Sequence, residues 1–320
     1  MTPALAVQDL AIDFQSRRGQ VRAIDGATLS AAPGEVLGIV GESGSGKSTL
    51  GMAIGHLLGA GARRVSGDIR VDGRSIFALD EAGLRALRAD ELGYVFQDPM
   101  GALDPTRRIG LQIKAALGGM ATRMGIASVL KDVGLADADR VARSYPHELS
   151  GGMAQRVCIG IAVARRPKVV IADEPTAALD ASIKSQILDL LVRRCRATGA
   201  VLILLSHDLY AIRKCSDRVA VMYAGRLVET GWTAAVFARP AHPYTVMLLQ
   251  SAIGRERAGG RVEPIPGAPP VLTGRCQACA FAPRCRWTEQ ACTAVRPEAR
   301  CVADRDVICH RAESVMGAAR

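Results

Sequence analysis

Apolar residues come in short runs separated by Gly, Pro and Asp, and their spacing changes character along the chain. Residues 5–40 read as short strands with turns at 17–20 and at Ala32-Pro33-Gly34. They end in the continuous apolar run Val36–Val40 expected of a buried strand. A Gly-rich loop follows, then Ser48–Leu58 as a helix. Alternation over 65–77 predicts a hairpin turning at Asp72-Gly73. From about 80 to 165 the pattern is mostly helical, interrupted at Asp98-Pro99 and Tyr145-Pro146. Lys168–Ala172 and Val201–Leu205 are two further buried strands, and Ile183–Arg196 between them has amphipathic helical spacing. Strands alternating with helices predict an α/β fold around a parallel sheet. After Phe237 the character shifts. Pro240, Pro243, Pro264, Pro266, Pro269 and Pro270, with Gly259-Gly260, place a boundary near 238 and a linker at about 254–272.

Composition narrows the classes. The chain has 320 residues, 49% hydrophobic and 22% charged, enough for a substantial core. No apolar run approaches the 18 or so residues of a membrane span, and the acidic residues near the N-terminus do not suit a signal peptide. A cytosolic protein with reduced thiols is the expectation. The 41 Lys and Arg against 31 Asp and Glu give a net charge of +10, scattered as Arg rather than blocked. With only 4% aromatics there is no array of stacking platforms for single-stranded nucleic acid, so no nucleic-acid partner is expected.

The chemistry sits first in Gly41-Glu42-Ser43-Gly44-Ser45-Gly46-Lys47-Ser48, which fits GxxxxGKS between a predicted strand and a predicted helix. Glycines let consecutive backbone N–H groups curl around phosphate oxygens, and the helix N-terminus adds a favourable dipole. Lys47 is the candidate for the β- and γ-phosphates and Ser48 for Mg²⁺. A second apolar strand ends in Asp173-Glu174. Asp173 is placed to hold the metal through water, and Glu174 to orient or deprotonate an attacking water.

Four further stretches carry a resemblance. Leu149-Ser150-Gly151-Gly152-Met153 resembles the signature motif of ATP-binding-cassette (ABC) ATPases, with Met in place of the more usual Gln. Gln97 after Tyr94-Val95-Phe96 resembles their glutamine loop. Leu205-Ser206-His207-Asp208 resembles their switch histidine, and Ala178-Leu179-Asp180 their D-loop. The resemblance implies a P-loop, RecA-like core with antiparallel β and helical subdomains over residues 1–237, the helical part at about 98–165. It implies ATP and Mg²⁺ as cofactors, Ser48, Gln97 and Asp173 at the metal, and Glu174, His207 and Gln97 in catalysis. It also implies a head-to-tail dimer in which Gly41–Thr49 of one subunit and Ser150, Gly151 and Gly152 of the other hold ATP, with Asp180 beside the interface. The resemblance implies an adenine-stacking aromatic near position 18; none stands there, leaving Arg18 and Phe14 as the candidates.

The tail is residues 238–320. Six of the nine cysteines lie between 276 and 309, and only Cys276 and Cys279 form a C-x2-C pair. By themselves they leave a disulfide, zinc, an iron–sulfur cluster and free thiols open, the reduced compartment counting against the first. Ala241-His242-Pro243-Tyr244, Ile265–Pro270 and Cys279–Cys285 resemble the C-terminal extension of the oligopeptide/dipeptide/nickel permease ATPases. That resemblance associates Cys279, Cys285, Cys292 and Cys309 with a 4Fe–4S cluster, zinc being the alternative. It implies a peripheral subunit on the cytoplasmic face of the inner membrane. Its partners would be a second homologous ATPase, two transmembrane permeases and an extracytoplasmic solute-binding protein. The expected function is to power import of peptides, nickel or related small solutes; the alternative is a soluble ABC ATPase of DNA repair or translation.

Overall fold

The computed structural model describes residues 3–16, 19–177, 179–256 and 264–318; Arg18, Ala178 and Gly259-Gly260 lie outside the described residues. The N-terminal alternation builds β1 (Leu5–Ser16) and β2 (Gly19–Ala31), both longer than the short strands expected, and then β3 (Val36–Val40). The Gly-rich loop opens α1 (Lys47–Ile54), which stops four residues before the predicted Leu58. Gly55 caps it, and His56 takes a left-handed conformation (φ 52°) that no helix continues through. β4 (Ala62–Val71) and β5 (Arg74–Ser75) form the expected hairpin, with positive φ at both Asp72 and Gly73. These strands make an antiparallel sheet in the order β2-β1-β4-β5.

The stretch read as mostly helical contains α2 (Glu81–Asp90), then a strand, β6 (Leu92–Val95), and then α3 (Pro99–Ala102), α4 (Ile109–Ala116), α5 (Arg123–Asp132), α6 (Ala138–Arg143) and α7 (Gly151–Val163). β6 is a correction to the helical reading. Gly93 lies so close to the Ala162 carbonyl that a Cβ would stand 2.3 Å from the oxygen, an approach only glycine permits. The chain continues through β7 (Val169–Asp173), α8 (Ala181–Thr198), β8 (Val201–Leu205), α9 (Leu209–Cys215), β9 (Arg218–Tyr223) and β10 (Arg226–Trp232). Beyond them come α10 (Thr233–Ala238), α11 (Pro243–Glu256), α12 (Gln290–Ala294), β11 (Arg300–Cys301), β12 (Asp306–Val307) and α13 (Ala312–Ala318).

The larger sheet runs β11-β12-β10-β9-β3-β8-β7-β6, with β9, β3, β8, β7 and β6 parallel to one another. Every residue of β3, β7 and β8 is buried, which explains their unbroken apolar runs. Alternate residues serve opposite layers. Val36, Val170, Leu202 and Leu204 pack with α7, α8 and α9, whereas Leu37, Ile39, Ile171 and Ile203 pack with α1 and the antiparallel sheet. The two layers hold the ends of β3, β7 and β8 together, and the candidate catalytic residues follow those ends.

The residues after 238 pack directly on this body. β12 pairs with β10, and Tyr244 and Phe281 are fully buried in the same core as β3 and α9. Glu229 on β10, with no exposed surface, accepts hydrogen bonds from the N–H groups of Ala241 and His242 and from Arg305. No helix among the described residues is long and apolar enough to cross a membrane.

Candidate active site

The loop between β3 and α1 needs its glycines. Gly46 has φ 106°, and a Cβ there would sit 2.7 Å from the Ala23 carbonyl, so neither conformation nor space admits another residue. Lys47, the first residue of α1, is buried and folds back over the loop. Its Nζ donates to the carbonyls of Gly41 (2.7 Å) and Glu42 (3.0 Å). Burial pushes its pKa down, opposed by the charges of Glu174, Asp173 and Glu42.

β7 delivers the acidic pair. The Ser48 hydroxyl donates to Asp173 Oδ1 at 3.1 Å and the Tyr94 hydroxyl to Oδ2 at 3.4 Å. Burial raises the Asp173 pKa, with those hydrogen bonds acting against the shift. Glu174 turns out of the strand in a left-handed conformation (φ 45°), an uncommon backbone for a non-glycine residue. Its carboxylate accepts from the His207 N–H (2.9 Å) and the Ser206 hydroxyl (3.3 Å), and the His207 ring Nδ1 lies 2.7 Å from Oε1. The ring is largely exposed, while the Glu174 side chain is mostly buried.

A cavity of about 410 Å³ gathers Ser43, Gly44, Gly46, Lys47, Ser48, Thr49, Gln97, Glu174 and His207. Val21, Arg22 and Ala23 of β2, Ala224 and Gly225, and Pro270, Val271 and Leu272 complete its lining among the described residues. Ser150, Gly151, Gly152 and Asp180 do not line it. Ser150 caps α7 by accepting from the Met153 N–H (3.4 Å), and Asp180 stands exposed before α8. Phe14 does not line it either: it packs against the antiparallel sheet's core.

Sequence reasoning missed how the tail reaches this loop. The Glu42 N–H donates to the Tyr244 hydroxyl (2.8 Å). Arg284 grips the Glu42 carboxylate with two bonds of 2.7 and 3.0 Å. The motifs holding Tyr244 and Arg284 are visible in the sequence, but nothing local ties them to position 42.

All nine cysteines are free. Cys279, Cys285, Cys292 and Cys309 line one pocket of about 10 Å³ together with His242 and Phe281, whereas Cys276 and Cys301 lie outside it. Burial raises the pKa of the four thiols, that of Cys309 to about 12. As placed, no group of three or more His, Cys, Asp or Glu side chains among the described residues could hold a metal ion, so the cluster expected from the sequence is not shown.

This fold and this constellation define an ABC-type ATPase. Residues 24–177 match the ABC transporter family and residues 228–292 the oligopeptide/dipeptide transporter C-terminal region. A putative peptide import ATP-binding protein of Brucella abortus is 40% identical, over 92% of this chain and 91% of its own length. The dipeptide transport ATP-binding protein DppD of Haemophilus influenzae is 38% identical over 96% and 94%. The chain therefore belongs to the oligopeptide/dipeptide transport family of ABC ATP-binding proteins. The oligopeptide transport ATP-binding protein OppD of Mycobacterium tuberculosis is 42% identical over 99% of this chain, which spans about half (53%) of that relative's length. Among solved structures, the dimeric cassette MJ0796 in a post-hydrolysis state with ADP and Pi superposes with a TM-score of 0.64 at 28% identity. It covers 72% of this chain and 98% of its own. The cbiO1 cassette of Clostridium perfringens gives 0.64 at 29% identity, over 80% and 94%.

Proposed function

We propose that this chain binds and hydrolyses ATP to power import of di- or oligopeptides, nickel or related small solutes being the other cargo class. The observation that carries this reading is one cavity in which the Lys47 loop faces Gln97, Glu174 and His207, with Ser48 at its wall hydrogen-bonded to Asp173. Lys47 exchanges the Gly41 and Glu42 carbonyls for phosphate oxygens when nucleotide enters. Ser48 and Gln97 would hold Mg²⁺ directly and Asp173 through water, and the ion would supply positive charge against the phosphates. Glu174, oriented by Ser206 and the His207 N–H, accepts the proton of the attacking water. The water oxygen bonds to the γ-phosphorus as the bridging P–O bond breaks, and ADP leaves with its electron pair. His207 supports Glu174 and reaches the γ-phosphate side.

Ser150, Gly151 and Gly152, capping the positive end of α7, serve a second ATP site across a head-to-tail dimer. The second cassette is a homologous ATPase subunit. Two permease subunits and an extracytoplasmic binding protein complete the complex, which places this chain on the cytoplasmic face of the membrane. Peptide cargo is supported by the names of the relatives that match over nine-tenths of their length. In the source cell, deleting this chain should abolish uptake of labelled di- and oligopeptides. Wild type should restore it, and Lys47→Ala should not. Unchanged peptide uptake with loss of another solute would overturn the cargo assignment.

Cys279, Cys285, Cys292 and Cys309 would supply the donor set for a 4Fe–4S cluster once their side chains reorient toward it. Four soft thiols on one pocket wall suit iron, and binding requires them to lose their protons and turn toward the guest. Its role is structural: it adds a covalent centre to an extension with little core of its own.

A further inference from the structure

The cavity has a phosphate end and an apolar end, and the second has no assigned occupant. Asp173 reaches Ser48 from one side of the loop, while Ala23 lies against Gly46 from the other. A triphosphate whose γ-phosphate faces Glu174 must therefore run its ribose and base toward β2. Among the described residues, no Phe, Tyr or Trp lines that end. The Arg22 guanidinium is committed to Asp13 and Asp25 and cannot turn onto a base. What remains among the described residues carries no polar side chain: Val21 and Ala23 from β2, Ala224 and Gly225, and Pro270, Val271 and Leu272 from the C-terminal extension.

We propose that Pro270–Leu272 of the extension forms, with Val21, the wall on which the purine base rests, so that the extension completes the nucleotide site. The inference rests on the ATP-binding reading above. Val271 is 75% exposed, one of the most open large apolar side chains among the described residues, although it sits at the mouth of this cavity. A base lying on it would cover that surface. The segment is held in place for the task. The Arg22 N–H donates to the Leu272 carbonyl (2.7 Å), Arg284 holds the Pro266 carbonyl (2.7 Å), and the Cys276 N–H reaches Asp25 (3.4 Å). An aliphatic wall grips a base by dispersion and burial and carries no side-chain donor or acceptor to read its edge. Adenine and guanine triphosphates should bind with similar affinity.

Equilibrium binding of ATP, GTP and base-free tripolyphosphate, each with Mg²⁺, tests this on the full chain. Val271→Asp, an exposed substitution, should weaken ATP and GTP alike by about tenfold and leave tripolyphosphate unchanged. Val271→Phe should hold or tighten both nucleotides, because a ring stacks on a base. Unchanged ATP affinity in Val271→Asp, or an equal loss for tripolyphosphate, would overturn the base wall. Wild type that binds neither ATP nor tripolyphosphate would instead overturn the ATP-binding reading, and this inference with it.

Discussion

Replacing Arg284 by Met asks how firmly the extension is tied to the phosphate loop. The guanidinium forms two bonds to Glu42, donates to the Pro266 carbonyl and stands 5.7 Å from the Tyr223 ring. Its side chain is 4% exposed and that of Glu42 26%, so the pair is buried on one side only. Truncating one member of a fully buried pair costs about 3–5 kcal/mol, because the other charge is stranded. Glu42 keeps some access to water, which reduces that penalty, while the lost bond to Pro266 adds about 1 kcal/mol. We expect Arg284→Met to destabilise by about 2–3 kcal/mol, lowering Tm by roughly 3–5 °C for a chain of this size. Denaturation followed by fluorescence of Trp287, three residues from Arg284, reads the extension once the other tryptophan, Trp232, is replaced by Phe in both proteins. A double-mutant cycle with Glu42→Gln should give a coupling of about 1–2 kcal/mol. Strict additivity, or Arg284→Met within about 0.5 kcal/mol of wild type, would refute the idea that this contact couples extension and loop.

Glu229→Ala should destabilise by about 3–5 kcal/mol, since it strands Arg305 and two buried N–H groups; the unfolding free energy from urea melts checks it. Anaerobically purified protein should be brown, with iron and sulfide in near-equal amounts. Cys309→Ser should lose the colour and Cys301→Ser keep it, because only Cys309 lines the shared pocket. Colourless protein with stoichiometric zinc would remove the cluster.

Much of this architecture was legible because the information is local. A phosphate loop draws Gly41, Gly44, Gly46, Lys47 and Ser48 from one short stretch, and the all-apolar runs of β3, β7 and β8 follow from burial on both faces. β6 escaped because four residues including a glycine carry no strand pattern, and its place is set by close contact with Ala162. α1 ended early because of the left-handed His56, which no periodicity reveals. Sequence reading put Glu174 and His207 on separate strand ends, and the parallel pairing of β7 and β8 brought them together. The contacts of the extension were the least legible. Arg284 and Glu42 are 242 positions apart, and a lone Arg between cysteines gives no sign of its partner. The base wall has the same origin: Val271 is unremarkable in a Pro-rich stretch until folding lays it beside Val21.

The central claim is that Glu174 activates the water that cleaves ATP. The direct measurement is steady-state ATP hydrolysis by the assembled complex carrying Glu174→Gln, alongside ATP binding by the same protein. The account predicts affinity close to wild type and turnover reduced by about two to four orders of magnitude, as expected when a general base is lost. Near-normal hydrolysis in Glu174→Gln would contradict it.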